Sequence, residues 1–272
     1  MIQPGEIQSI AGKEGVRDTQ IEKNYVISWI TYGIANNPFL KKNLIFKGGT
    51  VLKKVYFPGY RFSEDLDFSF NGKDFEIDAL KAAFTELIEW VYEESRITLS
   101  VKDETQHETG NFNFYFSYTG PLGGVGANKD IKVDISQDKL IYNAPEEKRI
   151  INSYSDLEQK EYNISCYTLG EVIAEKMRSL MQRTAPRDIY DLWYLFEIEG
   201  LNIEDHIFAF QDKAKHKGYD PKELTKVVEQ KEKTFAKHWR EHLANQMTEI
   251  PDFNDVWREL GKHWRKFQKF IE

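Results

Sequence analysis

Between residues 64 and 70 the chain alternates without interruption. Asp65, Asp67 and Ser69 fall on one side, and Leu66, Phe68 and Phe70 on the other. A period of two marks a strand with one apolar face. The same period returns at 111–118, where Phe112, Phe114, Phe116 and Tyr118 alternate with Asn111, Asn113 and Ser117. It returns again at 131–136, where Ile131, Val133 and Ile135 alternate with Lys132, Asp134 and Ser136. Shorter runs predict strands at 44–46 and 97–101. Between them the period is helical. Residues 17–35 carry Ile21, Tyr25, Ile27 and Trp29 and stop at Asn36-Asn37-Pro38, and 78–94 form an amphipathic helix. Gly48-Gly49 ends the first strand, and Thr50 is placed to cap a short helix running to 56. Pro58-Gly59 reads as a turn and 120–126 as a glycine-rich loop.

From Tyr167 onward the period is helical throughout. Thr168 and Glu171 have the spacing of a capping box, Pro186 separates that helix from one at 188–199, and the remainder to 270 is helical. Strands with short helices followed by helices alone predict an α+β fold with a helical C-terminal domain. The boundary falls in the polar connection 153–163. We therefore expect a strand-bearing core with its N-terminal helix over 1–155 and a helical domain over 156–272.

The 272 residues contain 40% hydrophobic and 14% aromatic positions, enough for a packed core. No apolar run reaches the roughly 18–20 residues that span a bilayer, so no membrane role is expected. The first 15 residues lack a basic region followed by an apolar one, and so do not read as a signal peptide. Cys166 is the single cysteine, which excludes an internal disulfide and a multi-thiolate zinc site and fits a reducing cytoplasm. The formal charge is −7; residues 211–272 hold 14 basic and 11 acidic side chains, a net +3, which leaves −10 on the first 210. The protein is thus no general polyanion binder, though its C-terminal part could present a local basic surface, or an ordinary mixed-charge helical one.

Asp65 and Asp67 carry the first candidate chemistry. Two positions apart on a strand, their carboxylates share a side, and their repulsion costs free energy unless a cation lies between them. Carboxylate oxygens suit Mg²⁺ or Mn²⁺. A solvated Asp-x-Asp on an edge strand is the alternative. Gly48-Gly49, between a strand and a helix, lets backbone amides approach a phosphate, or is simply a tight turn. Asp134 interrupts an apolar strand and would complete a two-metal site from an adjacent strand, or face solvent. Lys176 lies within the inner stripe of Val172, Ile173, Met177 and Leu180, with Glu175, Arg178 and Ser179 outside it. A lysine there suits a triphosphate, with Asp188 and Asp191 as its partners, or forms a salt bridge between the two helices.

Together these segments resemble a known family. Ile21-Glu22-Lys23-Asn24-Tyr25-Val26-Ile27, Phe46-Lys47-Gly48-Gly49-Thr50-Val51-Leu52 and Arg61-Phe62-Ser63-Glu64-Asp65-Leu66-Asp67-Phe68 are similar to the AbiEii/AbiGii toxin nucleotidyltransferases. So are Glu175-Lys176, Arg183 and Arg187-Asp188-Ile189-Tyr190-Asp191-Leu192. The likeness runs in order over roughly 21–195; Asn24 stands where the family often has an acidic residue, and the last 70 or so residues match nothing. The resemblance implies a nucleotidyltransferase-type mixed sheet with flanking helices, of the polymerase-β kind. It implies the toxin of a toxin–antitoxin or phage-defence system, with a cognate antitoxin as partner. Its metal carboxylates map to Asp65 and Asp67, its lysine to Lys176 and its last acidic motif to Asp188 and Asp191. It also implies transfer of a nucleotide from an NTP to RNA, a tRNA end in characterised relatives.

The expected mechanism places the triphosphate on Gly48, Gly49 and the start of the Thr50 helix, with Lys47 and Arg61 as further nucleotide-binding groups, while Ser63 either reaches a phosphate with its hydroxyl or only shapes a turn. Two Mg²⁺ ions sit on Asp65 and Asp67, with Asp134 as the candidate third ligand, and Lys176 steadies the departing pyrophosphate. The helical domain is expected to complete the cleft. Three alternatives share these residues: a small-molecule (antibiotic-type) nucleotidyltransferase, a γ-phosphoryl transferase, and a non-catalytic NTP-binding interaction protein.

Overall fold

A computed structural model describes residues 1–72, 75–107, 110–124, 129–137 and 140–271. Within the glycine-rich stretch 120–126, Val125 and Gly126 lie outside the described residues. Two compact units divide the chain. One comprises Met1–Lys139 with Pro145–Cys166, the other Leu140–Ala144 with Tyr167–Glu272. The strand-bearing unit therefore runs to Cys166 instead of ending at 155, because 163–166 pair as a strand with the first strand of the sheet.

The first unit opens with α1 (Pro4–Glu14), α2 (Asp18–Asn36) and α3 (Pro38–Asn43), followed by β1 (Leu44–Lys47). Next come α4 (Gly48–Val51), which continues as a π-helical turn over Leu52–Tyr56, then β2 (Leu66–Phe70) and α5 (Ile77–Ser95). β3 (Thr98–Gln106), β4 (Phe112–Thr119), β5 (Asp130–Ser136), β6 (Glu146–Arg149) and β7 (Asn163–Cys166) complete a seven-stranded sheet. Its order is β3-β4-β5-β2-β1-β7-β6. β2 runs parallel to β5 and β1 parallel to β7, so the sheet is mixed as expected.

Register sorts the sheet into two faces. Phe46, Phe68, Ile135 and Phe112 align across β1, β2, β5 and β4, all buried. Phe84 of α5 packs onto this face, with ring centroids 4.5 Å from Phe114 and 5.7 Å from Phe116. The adjacent row, on the opposite face, is Lys47, Asp67, Asp134 and Asn113.

Helix α2 is buried on every side, polar positions included: Gln20, Glu22, Asn24, Ser28 and Thr31 are all inside. Its end follows from Asn37-Pro38. The Asn37 side chain accepts from the amides of Phe39 and Leu40, and Pro38 occupies the first turn of α3, where its missing N–H costs nothing.

The second unit is helical, as expected. It contains α6 (Leu169–Gln182), α7 (Pro186–Trp193) with a π-helical extension over Tyr194–Ile198, and α8 (Ile207–His216). α9 (Leu224–Gln230), α10 (Glu232–Leu243) and α11 (Phe253–Ile271) follow. Only half of the expected capping box forms. Thr168 Oγ1 accepts from Glu171 N at 3.1 Å. The buried Glu171 carboxylate instead accepts from the amides of Tyr142 and Asn143 and pairs with Lys213 at 2.6 Å. This ties 140–144 to the helical unit, and a buried carboxylate needs such compensation.

Candidate active site

Three consecutive residues after β1 meet four positions of the segment 61–67. Gly48 has φ +78, and a Cβ there would lie 2.2 Å from Asp67 Oδ2. A Cβ on Gly49 would lie 2.9 Å from Arg61 Nη2 and 3.5 Å from Ser63 Oγ. Thr50 Oγ1 donates to the carbonyl of Asp65 at 2.5 Å. Thr50 is therefore not a helix cap: α4 begins at Gly48, and the hydroxyl ties the helix to the Asp-x-Asp strand. The two glycines leave room for a carboxylate, a guanidinium and a hydroxyl to approach the backbone at one spot. Gly48→Ala should therefore both strain the backbone, by about 1–2 kcal/mol for a left-handed non-glycine residue, and push Asp67 aside. We expect a folded protein of lower melting temperature with little transfer activity, checked by thermal unfolding and a transfer assay on the same sample.

Asp134 lies directly opposite Asp67 in the parallel β2–β5 pair and so shares its face. Its Oδ2 accepts from Lys132 Nζ at 2.8 Å. With the Asn113 amide turned so that both its ends are satisfied, Asn113 donates to Asp134 Oδ1 at 2.8 Å and accepts from His107 Nε2 at 2.9 Å. Burial disfavours the Lys132 ammonium, but the hydrogen bond and charge of Asp134, with Tyr115 and Asp65 behind it, outweigh that and raise its pKa. On the other flank, Lys47 Nζ donates to Ser136 Oγ at 2.5 Å. Arg61 and Ser63 are buried, and Asp65, Asp67 and Asp134 are half-buried.

The face is thus a row of carboxylates bordered by Lys47, Lys132 and Arg61. Its donors suit a hard divalent cation, which keeps several waters and needs only one or two protein carboxylates besides substrate phosphates. Asp65 and Asp67 fit that requirement. Asp134 shares the face, but both its oxygens already accept hydrogen bonds. Among the described residues, the one set of three histidine, cysteine or carboxylate groups with ligand atoms all within 4.8 Å of each other is His238, Glu241 and His242 on α10. The three aspartates therefore do not converge on a single point. Lys132 and Asn113 were not among the expected site residues. Their signal was the alternation that puts them on the polar side of β5 and β4.

The second unit carries the other predicted group. Lys176 Nζ lies 2.8 Å from Asp188 Oδ1 and 2.5 Å from Asp191 Oδ2. Arg183 Nε and Nη2 reach the two oxygens of Asp188 at 2.8 and 3.1 Å. Both aspartates are fully enclosed, at 1% and 0% side-chain exposure, and the lysine nearly so. Burial works to raise the Asp188 pKa, but the charges of Lys176 and Arg183 and their hydrogen bonds hold it below the usual carboxylate range. The expected inner stripe is buried, yet Arg178 and Ser179, expected outside it, are buried as well. Helix α6 packs against α7, α8 and α9 at once, so it has little solvent face left.

A mixed sheet with a Gly-Gly turn locked against an Asp-x-Asp strand defines a nucleotidyltransferase. The chain matches the AbiEii nucleotidyl transferase toxins of type IV toxin–antitoxin systems over residues 30–269, and it belongs to that family. An uncharacterized protein of Aquifex aeolicus is 24% identical over 248 residues, covering 89% of this chain and 88% of that one. Among solved structures, the nucleotidyltransferase toxin MenT4 of Mycobacterium tuberculosis superposes with a TM-score of 0.67 at 16% identity, over 100% of this chain and 90% of that chain. JHP933 of Helicobacter pylori gives 0.56 at 19% identity, over 93% and 94%. Among the described residues, no helix is long and apolar enough to cross a membrane.

Proposed function

We propose that this nucleotidyltransferase transfers a nucleotide from an NTP to a 3′ hydroxyl of RNA, at a tRNA end. The observation that carries the transfer is the fit of Gly48 against Asp67 and of Gly49 against Arg61 and Ser63. A guanidinium and a hydroxyl suited to phosphates, close to the Asp67 carboxylate, support this reading. In this reading the triphosphate lies along Lys47, Gly48, Gly49, Thr50, Arg61 and Ser63. Asp65 and Asp67 would hold Mg²⁺ or Mn²⁺, with Asp134 at the side of the face. The ion, when bound, supplies charge neutralisation at the phosphates and a lowered pKa for the acceptor hydroxyl. The acceptor oxygen forms a bond to the α-phosphorus, the bond to the bridging oxygen of pyrophosphate breaks, and the acceptor proton passes to water. Arg61 and Lys47 stabilise charge gathering on the phosphates, and in the helical unit Lys176 is fixed by Asp188 and Asp191.

RNA is favoured as the acceptor by α11, on which Lys262, Arg265, Lys266 and Lys269 are all exposed. A row of cations on one helix attracts a phosphate backbone and gives salt-dependent binding. As a type IV toxin the protein has a cognate antitoxin, and the cytoplasm, where NTPs and tRNA occur together, is its proposed location. The test is incubation with α-labelled NTPs and either intact or periodate-oxidised tRNA. Label on the intact tRNA alone is expected. Equal labelling of the oxidised tRNA contradicts a 3′ hydroxyl acceptor, and label on a small molecule instead supports the antibiotic-type reading.

A further inference from the structure

Glu22, Lys23 and Asn24 lie in the second turn of helix α2, and the catalytic reading above gives them no task. Each reaches a different segment around the carboxylate face. Glu22, with 0% exposure, accepts from Leu122 N at 2.8 Å and pairs with Lys129 Nζ at 2.9 Å. Its carboxylate also closes on Gly120, where a Cβ would lie 2.9 Å from Oε1. It therefore holds both described ends of the connection between β4 and β5. Lys23 Nζ donates to Glu64 Oε2 at 3.0 Å, one residue before Asp65. The Asn24 side chain donates to Tyr154 Oη at 2.7 Å. The Asn24 carbonyl accepts from Lys54 Nζ at 3.1 Å, and Ser28 Oγ accepts from the same ammonium at 2.6 Å. Lys54 belongs to the helical turn that continues from Gly48-Gly49-Thr50.

Successive residues of a helix point about 100° apart, so three in a row address three directions. A helix packed on one side has only part of such a run facing protein. Because α2 is buried from Gln20 to Ala35 except at the half-buried Lys23, the whole run is used. We propose that Glu22, Lys23 and Asn24 are positioning residues for nucleotide transfer. They fix the described ends of the β4–β5 connection, the Asp65 strand entry and the Gly-Gly-Thr helix relative to one rigid axis. The inference rests on Asp65 and Asp67 being the reacting face. It concerns groups that touch neither substrate nor metal and act only through the segments they hold.

Lys23 is the informative position, because its pair with Glu64 is partly exposed (15% and 35% of the side chains) and its loss should spare the fold. Lys23→Met and Glu64→Gln should each lower kcat about tenfold, short of the roughly 10²-fold that a 1 Å misplacement can cost. KM for the NTP should change less than about twofold, and the Mg²⁺ concentration for half-maximal activity should rise. The double variant should be no slower than either single one, since both remove the same contact. Lys23→Arg should restore most of the rate. Asp65→Asn is measured alongside. If Asp65→Asn is inactive while Lys23→Met and Glu64→Gln keep the parent kcat and Mg²⁺ dependence, the positioning role is overturned and the catalytic reading stands. If the rate falls only in proportion to folded protein, the contact is merely structural, which also overturns it. Full activity in Asp65→Asn removes the catalytic reading and this inference with it.

Discussion

Asp67→Asn should transfer nucleotides about 10³-fold more slowly than the parent protein, while melting at the same temperature or slightly higher. A carboxylate oxygen of Asp67 lies 2.2 Å from where a Cβ at position 48 would be, too close for any residue but glycine. The side chain is half-buried and shares its row with Asp134. Removing one negative charge relieves like-charge repulsion on that face, which offsets what the side chain's other contacts contribute. Removing a charge that neutralises phosphates through a bound cation costs several kcal/mol of transition-state stabilisation, and each 1.36 kcal/mol is tenfold in rate. Asp65→Asn should behave alike. Single-turnover rates under saturating NTP, set beside melting curves, check this; parent-like rates in either variant contradict it.

Lys176→Met should destabilise the protein by about 3–5 kcal/mol, the range for removing one partner of a buried ion pair. Sequence alone suggests the opposite, because methionine fills nearly the same volume in the α6 stripe. The structure shows why volume does not decide: Asp188 and Asp191 are both enclosed, and both lie on the Lys176 ammonium. Without it, Asp188 keeps Arg183 and Asp191 loses this pair. The sign with pH follows. In the parent, the Asp188 pKa is held below its unfolded value, so its stabilisation is full above about pH 4 and is lost as pH falls further. In Lys176→Met, Asp188 keeps Arg183 but loses the ammonium whose charge most offsets its burial, so its pKa rises relative to the parent. The folded variant then binds more protons than the folded parent as pH falls, and the deficit should shrink from pH 7 toward pH 5. Melting temperatures across that range measure it. Lys176→Met/Asp191→Asn should recover part of the loss, whereas a pH-independent deficit would point to packing instead of charge.

The carboxylate face was legible because it is built from local alternation. Asp67 and Ser69 must share a side once 66–70 is a strand, the same alternation carried back to 64 puts Asp65 with them, and Lys132 and Asp134 must share a side on β5. That Asp134 stands beside Asp67 and not beside Ser69 could not be read, because register between distant strands depends on the whole sheet. β6 and β7 escaped notice for a related reason: four residues each, Glu-Glu-Lys-Arg and Asn-Ile-Ser-Cys, carry too little periodicity to declare a strand. Gly48 looked like a phosphate cradle, yet what its missing side chain admits is Asp67. Glu171 looked like half of a capping box, and went to Lys213 because a non-local cation was within reach. Helix α2 was found by its apolar residues, but its polar ones gave no sign of being enclosed, since amphipathic patterns describe helices with a solvent side.

The most direct test of the account is which phosphate of the NTP becomes attached to the acceptor. The full chain, total RNA and Mg²⁺ are incubated with NTP labelled at the α or the γ position, and the products are separated by size. Nucleotide transfer to RNA predicts α-label in an RNA band, γ-label in pyrophosphate, and neither product with Asp65→Asn. γ-Label on the RNA would mean phosphoryl transfer, and α-label remaining in mononucleotides throughout would contradict nucleotide transfer to RNA.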